Sequence, residues 1–269
     1  MRPADDLSTL NVALIGAGEL GAAMAAAMIG RGGLLPSRLR VATASGRAPA
    51  LAGWPEIRVG SDPAAAARGA DITLLAVPPA AAGALALGTP RGPVVSVMAG
   101  VRLDRLARIA GHDRVIRAMS SPAAAMGLAY SPYFPGAGAT PEDAALARAV
   151  LSTCGLCDKV GSEDQIDLFT AITGPVPGFV AGFAEMMAGY AVAHGVAPDI
   201  ADRAVRQLFL AAGQILADTA PTPAERVAEM IDYAGTTAAG LQVMRASAIK
   251  DDLARALDAA VAKARTIAG

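Results

Sequence analysis

Three glycines in one loop give the sequence its clearest chemical signal. The apolar run Val12–Ile15 leads into Gly16, Gly18 and Gly21, spaced as Gly-x-Gly-x-x-Gly. The first glycine permits a tight turn, the second lets the backbone approach a pyrophosphate, and the third allows a helix to pack closely on a strand. The N-terminal amides of the following helix, predicted from about Glu19 to Met28, favour a bound phosphate. The segment therefore predicts a dinucleotide site.

A second group of polar atoms lies near the C-terminus, at Gly235, Thr236 and Thr237. Backbone amides and hydroxyls at the predicted start of a helix suit a small carboxylate. The competing interpretation is ordinary helix capping by threonine, which uses the same atoms. Nearby Asp232 can repel a carboxylate, bind an amine, or lie in a solvated turn.

The end of the second predicted strand bears on the choice of cofactor. Enzymes that use NAD usually carry Asp or Glu there, which binds the ribose hydroxyls. The sequence from Val41 to Arg47 contains no acid, and the next one is Glu56. Ser45 and Arg47 can instead hold a ribose 2′-phosphate, although Arg47 can also be a solvated loop charge. We therefore expect NADPH rather than NADH.

The elements that must position these residues alternate at first between strands and alanine-rich helices, which is typical of a parallel sheet. Helices are predicted at Pro63–Arg68 and Pro141–Leu151. The predicted strands are Asn11–Ile15, Leu39–Thr43, Ile72–Val77, Val94–Val97 and Arg114–Ala118, with weaker ones near Ile57–Val59, Leu128–Tyr133 and Cys157–Val160.

After Gly161 the pattern changes to helix almost to the end of the chain. Ser162 to Gln165 has the form of a capping box. The sequence therefore predicts an α/β Rossmann-like dinucleotide-binding domain over residues 1–161 and an all-α domain over 162–269. The predicted helices are Glu163–Ile172, Gly178–His194, Pro198–Ala217, Pro223–Ile231, Thr236–Ala248 and Asp251–Ala268. Several are apolar around most of their circumference, so they are either central in a compact bundle or covered by another subunit. We expect the second, in a homodimer or higher homo-oligomer.

Composition excludes several classes of protein. The 54% content of hydrophobic residues supports a large core, and the net charge of −1 gives no sign of a nucleic-acid or anionic-membrane partner. Aromatic residues make up 4% of the chain, too few for base-stacking platforms. Prolines and glycines interrupt the long uncharged stretches, and no signal peptide is recognised, so we expect a cytoplasmic protein.

The two cysteines, Cys154 and Cys157, form a Cys-x-x-Cys motif. A redox pair is one interpretation, but it requires a thioredoxin-like context that the sequence lacks. The other interpretation is two small apolar residues around a turn. The sequence offers no ligand set for zinc. His112 and His194 are predicted to be structural.

The ordered set of motifs resembles the pyrroline-5-carboxylate reductase family along nearly the whole chain. The glycine loop, the segment Ala70–Pro79, the strand that ends in Ala99-Gly100, and Gly235-Thr236-Thr237 are similar to family motifs. Glu163, Asp167 and Thr170 have the family's spacing before Gly174. The resemblance implies a reductase that acts on a C=N bond of a small cyclic imino acid with NADPH, in proline synthesis.

The resemblance also implies the site residues. Gly235, Thr236 and Thr237 would bind the substrate, with Thr237 also the expected catalytic residue. The expected cofactor-binding residues are Gly16, Ala17, Gly18, Glu19, Leu20, Gly21, Ser45, Arg47, Ala76, Val77 and Pro78.

The chain departs from the family at Pro78, where a lysine is usual, and at Ser121, Pro175, Val176 and Asp232. A missing lysine is acceptable for an imine that arrives protonated and unfavourable for a ketone, which disfavours a hydroxyacid dehydrogenase. Two alternatives stay open. One is an imine reductase that acts on another cyclic imine in a specialised pathway, and the other is an inactive nucleotide-binding sensor or scaffold.

Overall fold

The structure is a computed structural model that describes residues 6–174, 178–217 and 220–267. Its strands are β1 (Val12–Ile15), β2 (Leu39–Ala42), β3 (Arg58–Gly60), β4 (Ile72–Leu75), β5 (Val94–Ser96), β6 (Val115–Ala118), β7 (Ala129–Tyr130), β8 (Tyr133–Pro135) and β9 (Gly155–Leu156). Seven of them form one sheet in the order β3-β2-β1-β4-β5-β6-β8. The first six strands are parallel to their neighbours, β8 is antiparallel to β6, and β7 pairs with β9 separately.

The centre of the sheet determines where a ligand can bind. β1 and β4 are buried along their whole length, as expected for apolar strands covered on both faces. They pair in register, with Val12 opposite Ile72 and Ile15 opposite Leu75. The strand order reverses between them, and a crevice forms at the carboxyl ends of strands at such a switch point. The predicted α/β class is confirmed.

The described helices are α1 (Glu19–Gly30), α2 (Pro63–Ala67), α3 (Leu103–Ala110), α4 (Pro141–Ser152), α5 (Asp164–Ile172), α6 (Gly178–Ala193), α7 (Pro198–Leu216), α8 (Pro223–Asp232), α9 (Thr236–Ala246) and α10 (Ile249–Thr266). α1 buries a face of alanines and methionines, including Met24 and Met28, in the core with the apolar residues of β1. Short side chains let α1 lie close to the strand, so the glycine loop is held on a rigid support.

The chain divides into two compact units, Met1–Val176 with Ala259–Gly269, and Pro177–Asp258. This division differs from the predicted boundary between residues 161 and 162. α5 and the end of α10 belong to the first unit, together with the sheet.

The second unit is helical and presents many apolar side chains at its own surface. On α6 and α7 these include Met186, Tyr190 and Leu210, which are 62%, 69% and 57% exposed. Patches of this kind mark a surface that is covered in an assembly. No helix in the described part of the chain combines the length and apolarity that crossing a membrane requires.

Three local predictions were wrong. α5 begins at Asp164 without a side-chain cap, so the capping box from Ser162 is absent, and Gln165 instead accepts a hydrogen bond from the Gly161 amide at 2.7 Å. The strand predicted at Leu128–Tyr133 is split at Pro132, which cannot donate to a ladder. At Cys157–Val160 the structure has only an isolated bridge from Lys159 to Tyr133.

The helix α3 was not among the predicted elements, although Leu103, Leu106, Ile109 and Ala110 recur at helical spacing. It is eight residues long, shorter than the window of about 11–18 residues over which a helical period is read.

Candidate active site

Two loops meet at the switch point of the sheet, and their backbones are nearly in contact. Gly16 has φ +100°, and a Cβ atom added there would lie 2.5 Å from the Ala76 carbonyl oxygen and 2.8 Å from Cγ1 of Val77. Gly21 packs in the same way against the Gly16 carbonyl. Gly16 therefore requires glycine for its backbone conformation and its packing, and Gly21 for its packing alone.

Gly18 differs from the other two glycines because the space beside it is open. No atom of the described residues lies within 4 Å of an added Cβ, and Gly18 is the N-cap of α1 without a side-chain cap. The first amides of the 12-residue helix therefore keep their donors for a ligand. Ala17 is half-buried and Glu19 is exposed in the first turn. This open glycine and uncapped helix fit the phosphates of a dinucleotide.

A cavity of about 580 Å³ extends from this loop along the carboxyl ends of the strands. After β1 and β4 it is lined by Gly18, Glu19, Leu20, Ala76, Val77, Pro78 and Pro79, after β5 by Val97, Met98 and Ala99, and after β6 by Met119, Ser120 and Pro122. Residues of α5 and of the last turns of α10 complete it, and all belong to the first compact unit. Its walls are mostly apolar, which suits a reaction that must exclude water.

A buried arginine behind the cavity is a feature that sequence reasoning missed. Arg117, in the middle of β6, is fully buried and forms a salt bridge with Asp167 of α5. Glu163 lies 3.4 Å from a second guanidinium nitrogen of Arg117 and 3.0 Å from Arg102. Asp167 is also 3.7 Å from Arg265 of α10. These pairs join the three elements that form one end of the cavity.

The outer member of this cluster is Asp164. It accepts a hydrogen bond from Arg102 at 2.9 Å, which lowers the pKa of Asp164 and raises that of Arg102. A signal for the cluster was present in the sequence, because a charged residue within an otherwise apolar strand requires a buried partner.

Ser45 and Arg47 lie outside the cavity, in the turn that follows β2. The Thr43 hydroxyl accepts a hydrogen bond from the Arg47 amide at 3.1 Å and donates one to the Arg47 carbonyl at 2.9 Å. The Arg47 side chain is exposed, and no ion pair to it occurs among the described residues. Since β1 and β2 are parallel, this turn lies at the same sheet edge as the glycine loop.

The Gly235–Thr237 turn belongs to the second compact unit. Gly235 is the N-cap of α9, and neither threonine hydroxyl caps the helix. The alternative interpretation, helix capping by threonine, is therefore wrong. Ala234, just before the turn, has φ +57°. Thr236 and Thr237 are exposed, so their amides and hydroxyls are available to a ligand.

The remaining residues considered in the sequence give no second site. Burial raises the pKa of the Cys154 thiol to about 11, which disfavours the reactive thiolate that a redox pair needs. The His194 ring lies 2.8 Å from the Tyr190 carbonyl at the end of α6. Within the described ranges no three His, Cys, Asp or Glu side chains are grouped as metal ligands. Pro175 and Val176, two of the departures noted above, lie outside the described residues.

Comparison with known proteins gives two family matches. Residues 163–267 match the family model described as pyrroline-5-carboxylate reductase dimerisation. Residues 11–100 match the model described as NADP oxidoreductase, coenzyme F420-dependent.

Curated relatives match along most of the chain. A pyrroline-5-carboxylate reductase of Methanosarcina acetivorans is 30% identical over 249 residues, which are 89% of this chain and 91% of the relative. One from Synechocystis sp. is 27% identical over 264 residues, or 96% of this chain and 98% of the relative. A crystal structure of Plasmodium falciparum pyrroline carboxylate reductase with NADP bound has a TM-score of 0.80 at 19% identity and covers 97% of this chain and 99% of that one. The fold predicted from the sequence is thereby confirmed.

Proposed function

The chain belongs to the pyrroline-5-carboxylate reductase family, and from that premise we propose that it reduces 1-pyrroline-5-carboxylate to proline with NADPH. The observation that carries the proposal is the cavity at the switch point of the sheet. It begins at a dinucleotide loop and continues into an apolar space at the ends of β5 and β6. Such a space suits a small ring held against a nicotinamide.

The chain's own residues account for cofactor binding. The amides at the start of α1 receive the pyrophosphate, and Gly18 leaves room for it. Ala76, Val77 and Pro78 form the facing wall. Ser45 and Arg47 bind the 2′-phosphate that distinguishes NADPH from NADH, because the Arg47 guanidinium has no ion-pair partner among the described residues and lies at the same edge of the sheet.

The walls of the cavity favour reduction of an imine over reduction of a ketone. When bound, NADPH supplies the hydride that a C=N carbon accepts. A ketone also requires an acid to protonate the developing alkoxide, whereas a protonated imine is already electrophilic. At the ends of β4, β5 and β6 the cavity wall presents Pro78, Met98 and Met119, none of which is a proton donor. These residues position the reactants and exclude water.

The substrate carboxylate is assigned to the Gly235–Thr237 turn. The uncapped amides at the start of α9 provide donors, and the Thr237 hydroxyl adds one more. Thr237 thereby acts in catalysis by orienting the ring. Asp232, at the end of α8, is exposed and provides a negative charge that disfavours a second carboxylate nearby.

The protein forms a homo-oligomer, and we propose a dimer made through the helical part from residue 162 onward. The support is the family match over residues 163–267 and the apolar surface of α6 and α7. Contact with another protomer would bury these apolar side chains in a subunit interface.

Oxidation of NADPH with a panel of cyclic imines tests the function directly. The panel contains 1-pyrroline-5-carboxylate, its six-membered-ring analogue, and 1-pyrroline without the carboxylate. We expect the five-membered carboxylate to give the highest kcat/KM. Preference for another imine would support the specialised-pathway alternative. Tight NADPH binding without turnover of any imine would contradict the proposal and indicate a sensor or scaffold.

A further inference from the structure

The last turns of α10 form one wall of the cavity through a single helix face. Ala260, Lys263, Ala264 and Ile267 line it at the spacing i, i+3, i+4, i+7. Among the described residues that line the cavity, Lys263 carries the only positive charge and Glu19 the only negative charge. In the part of the chain that the structure describes, no acidic side chain forms a salt bridge with Lys263.

This wall is fixed in place by contacts within the first compact unit. Val261 and Ala264 are only 8% and 5% exposed. Arg265 lies 3.7 Å from Asp167, which also pairs with Arg117 of β6. Lys263 therefore stands on a helix segment that contacts α5, which in turn pairs with β6, while its own side chain is exposed and can move.

The order of the strands separates the two charges of the cavity. Glu19 follows β1, and β4 and β5 lie between β1 and β6. The uncapped amides of α1 receive a pyrophosphate at the β1 side. Lys263 is on the segment of α10 whose Arg265 lies near Asp167 of α5, and Asp167 pairs with Arg117 of β6, so its positive charge is at the β6 side, where the reacting ring is expected.

We propose that Lys263 attracts the substrate carboxylate into the reacting end of the cavity. The inference rests on the proposed function, in which the substrate is an anion that must pass mostly apolar walls. An exposed ammonium acts mainly by raising the local concentration of the anion, because water and salt screen it. Lys263 is thus a specificity-determining residue, and it discriminates against uncharged imines.

Substitutions on α10 test this role in the full-length enzyme. Lys263→Gln removes the charge, Lys263→Glu reverses it, and Lys263→Arg keeps it. Lys250→Gln is the matched control, because Lys250 is an exposed lysine on the same helix but in the second compact unit. We expect Lys263→Gln to raise the KM for the carboxylated imine roughly two- to fivefold at low salt. The effect should be larger in Lys263→Glu, absent in Lys263→Arg and Lys250→Gln, and weaker at high salt.

Ligand binding gives a measurement that does not depend on turnover. Cyclopentanecarboxylate is titrated calorimetrically into the NADPH complex, with cyclopentanecarboxamide as its uncharged partner, and NADPH affinity is measured separately by fluorescence. We expect Lys263→Gln to weaken only the carboxylate. Weaker NADPH binding with an unchanged carboxylate affinity would place the charge on a cofactor phosphate and overturn the proposal, as would no change in either ligand.

The proposed function can fail independently of this inference. A wild-type enzyme that does not oxidise NADPH with 1-pyrroline-5-carboxylate contradicts the proposed function. The cyclopentanecarboxylate titration still supports or overturns the role of Lys263 in that case, because the probe requires no reaction.

Discussion

Asp167 of α5 forms a salt bridge with Arg117 of β6, and the two side chains are 2% and 0% exposed. A buried ion pair adds little net stability, because both charges lose their hydration. Removing one partner is costly, since the other charge is left buried without compensation. The pair therefore fixes the relative position of α5 and β6, both of which contribute to the cavity.

We expect Asp167→Asn to lower the free energy of unfolding by about 3 kcal/mol, the lower end of the range for such losses, because Glu163 still lies near Arg117. Urea denaturation measures this change. The control is Asp104→Asn, which removes an exposed pair with Arg108 and should cost less than about 0.5 kcal/mol. Equal losses in the two variants would show that Arg117 does not depend on Asp167.

The dinucleotide half of the fold could be predicted from the sequence because its signals are local. The strand before Gly16 and the glycine spacing determine the turn without reference to distant residues. Arg117 shows where this reasoning ends. Its partners Glu163 and Asp167 are 46 and 50 residues away in the chain, and only the fold brings them together. The same limit applies to Lys263, because the sequence alone does not distinguish it from any other exposed residue of a helix.

Asp143 provides a prediction about pH. It is 3% exposed, and the hydrogen bonds from Arg114, including one of 2.9 Å from Nε, lower the pKa of Asp143. A folded-state pKa below the unfolded value of about 3.9 gives stability that is complete above that value and is lost as the pH falls through the folded pKa. Asp143→Asn should therefore cost about 1–2 kcal/mol at neutral pH.

The difference between wild type and Asp143→Asn should shrink below about pH 4, where the carboxylate of the unfolded chain becomes protonated. Denaturation at a series of pH values measures it. If the difference in the free energy of unfolding stays constant down to about pH 2, the ionised Asp143 carboxylate is not the source of the stability.

Two glycines in the loop should respond differently to alanine. Gly16→Ala forces a side chain into φ +100° and against the Ala76 carbonyl, so we expect a loss of at least about 2 kcal/mol in stability. Gly18→Ala meets no neighbour in the described part of the chain and should cost less than about 1 kcal/mol. Its methyl group enters the space assigned to the pyrophosphate, so NADPH affinity should fall roughly tenfold. Normal NADPH binding by folded Gly18→Ala would contradict the placement of the cofactor.

Arg47→Ala tests the basis of cofactor preference. Loss of a charge-assisted hydrogen bond to the 2′-phosphate is worth about 1.5–3 kcal/mol, so NADPH affinity should fall roughly ten- to a hundredfold. NADH, which lacks that phosphate, should bind as before. Arg108→Ala, an exposed arginine on α3, serves as the control in fluorescence titrations. An equal loss of both cofactors, or tighter binding of NADH by the wild type, would rule out this role.

Thr237 tests the assigned substrate site. Gly235 already occupies the cap position of α9, so Thr237→Ala should leave the free energy of unfolding nearly unchanged. If the hydroxyl donates to the substrate carboxylate, kcat/KM for 1-pyrroline-5-carboxylate should fall by roughly ten- to a hundredfold, which corresponds to about 1.5–3 kcal/mol. NADPH affinity should not change. The imine without a carboxylate, 1-pyrroline, should be a poor substrate for both proteins, and its kcat/KM should be the same in both.

Asp232 and Pro78 depart from the family, so another carboxylated imine can prove to be the faster substrate. In that case the same comparison of wild type and Thr237→Ala is made with that imine. Unaltered kinetics on every carboxylated imine would contradict this role of the Thr237 hydroxyl. The carboxylate would then be bound by the amides of the turn alone, or at another place.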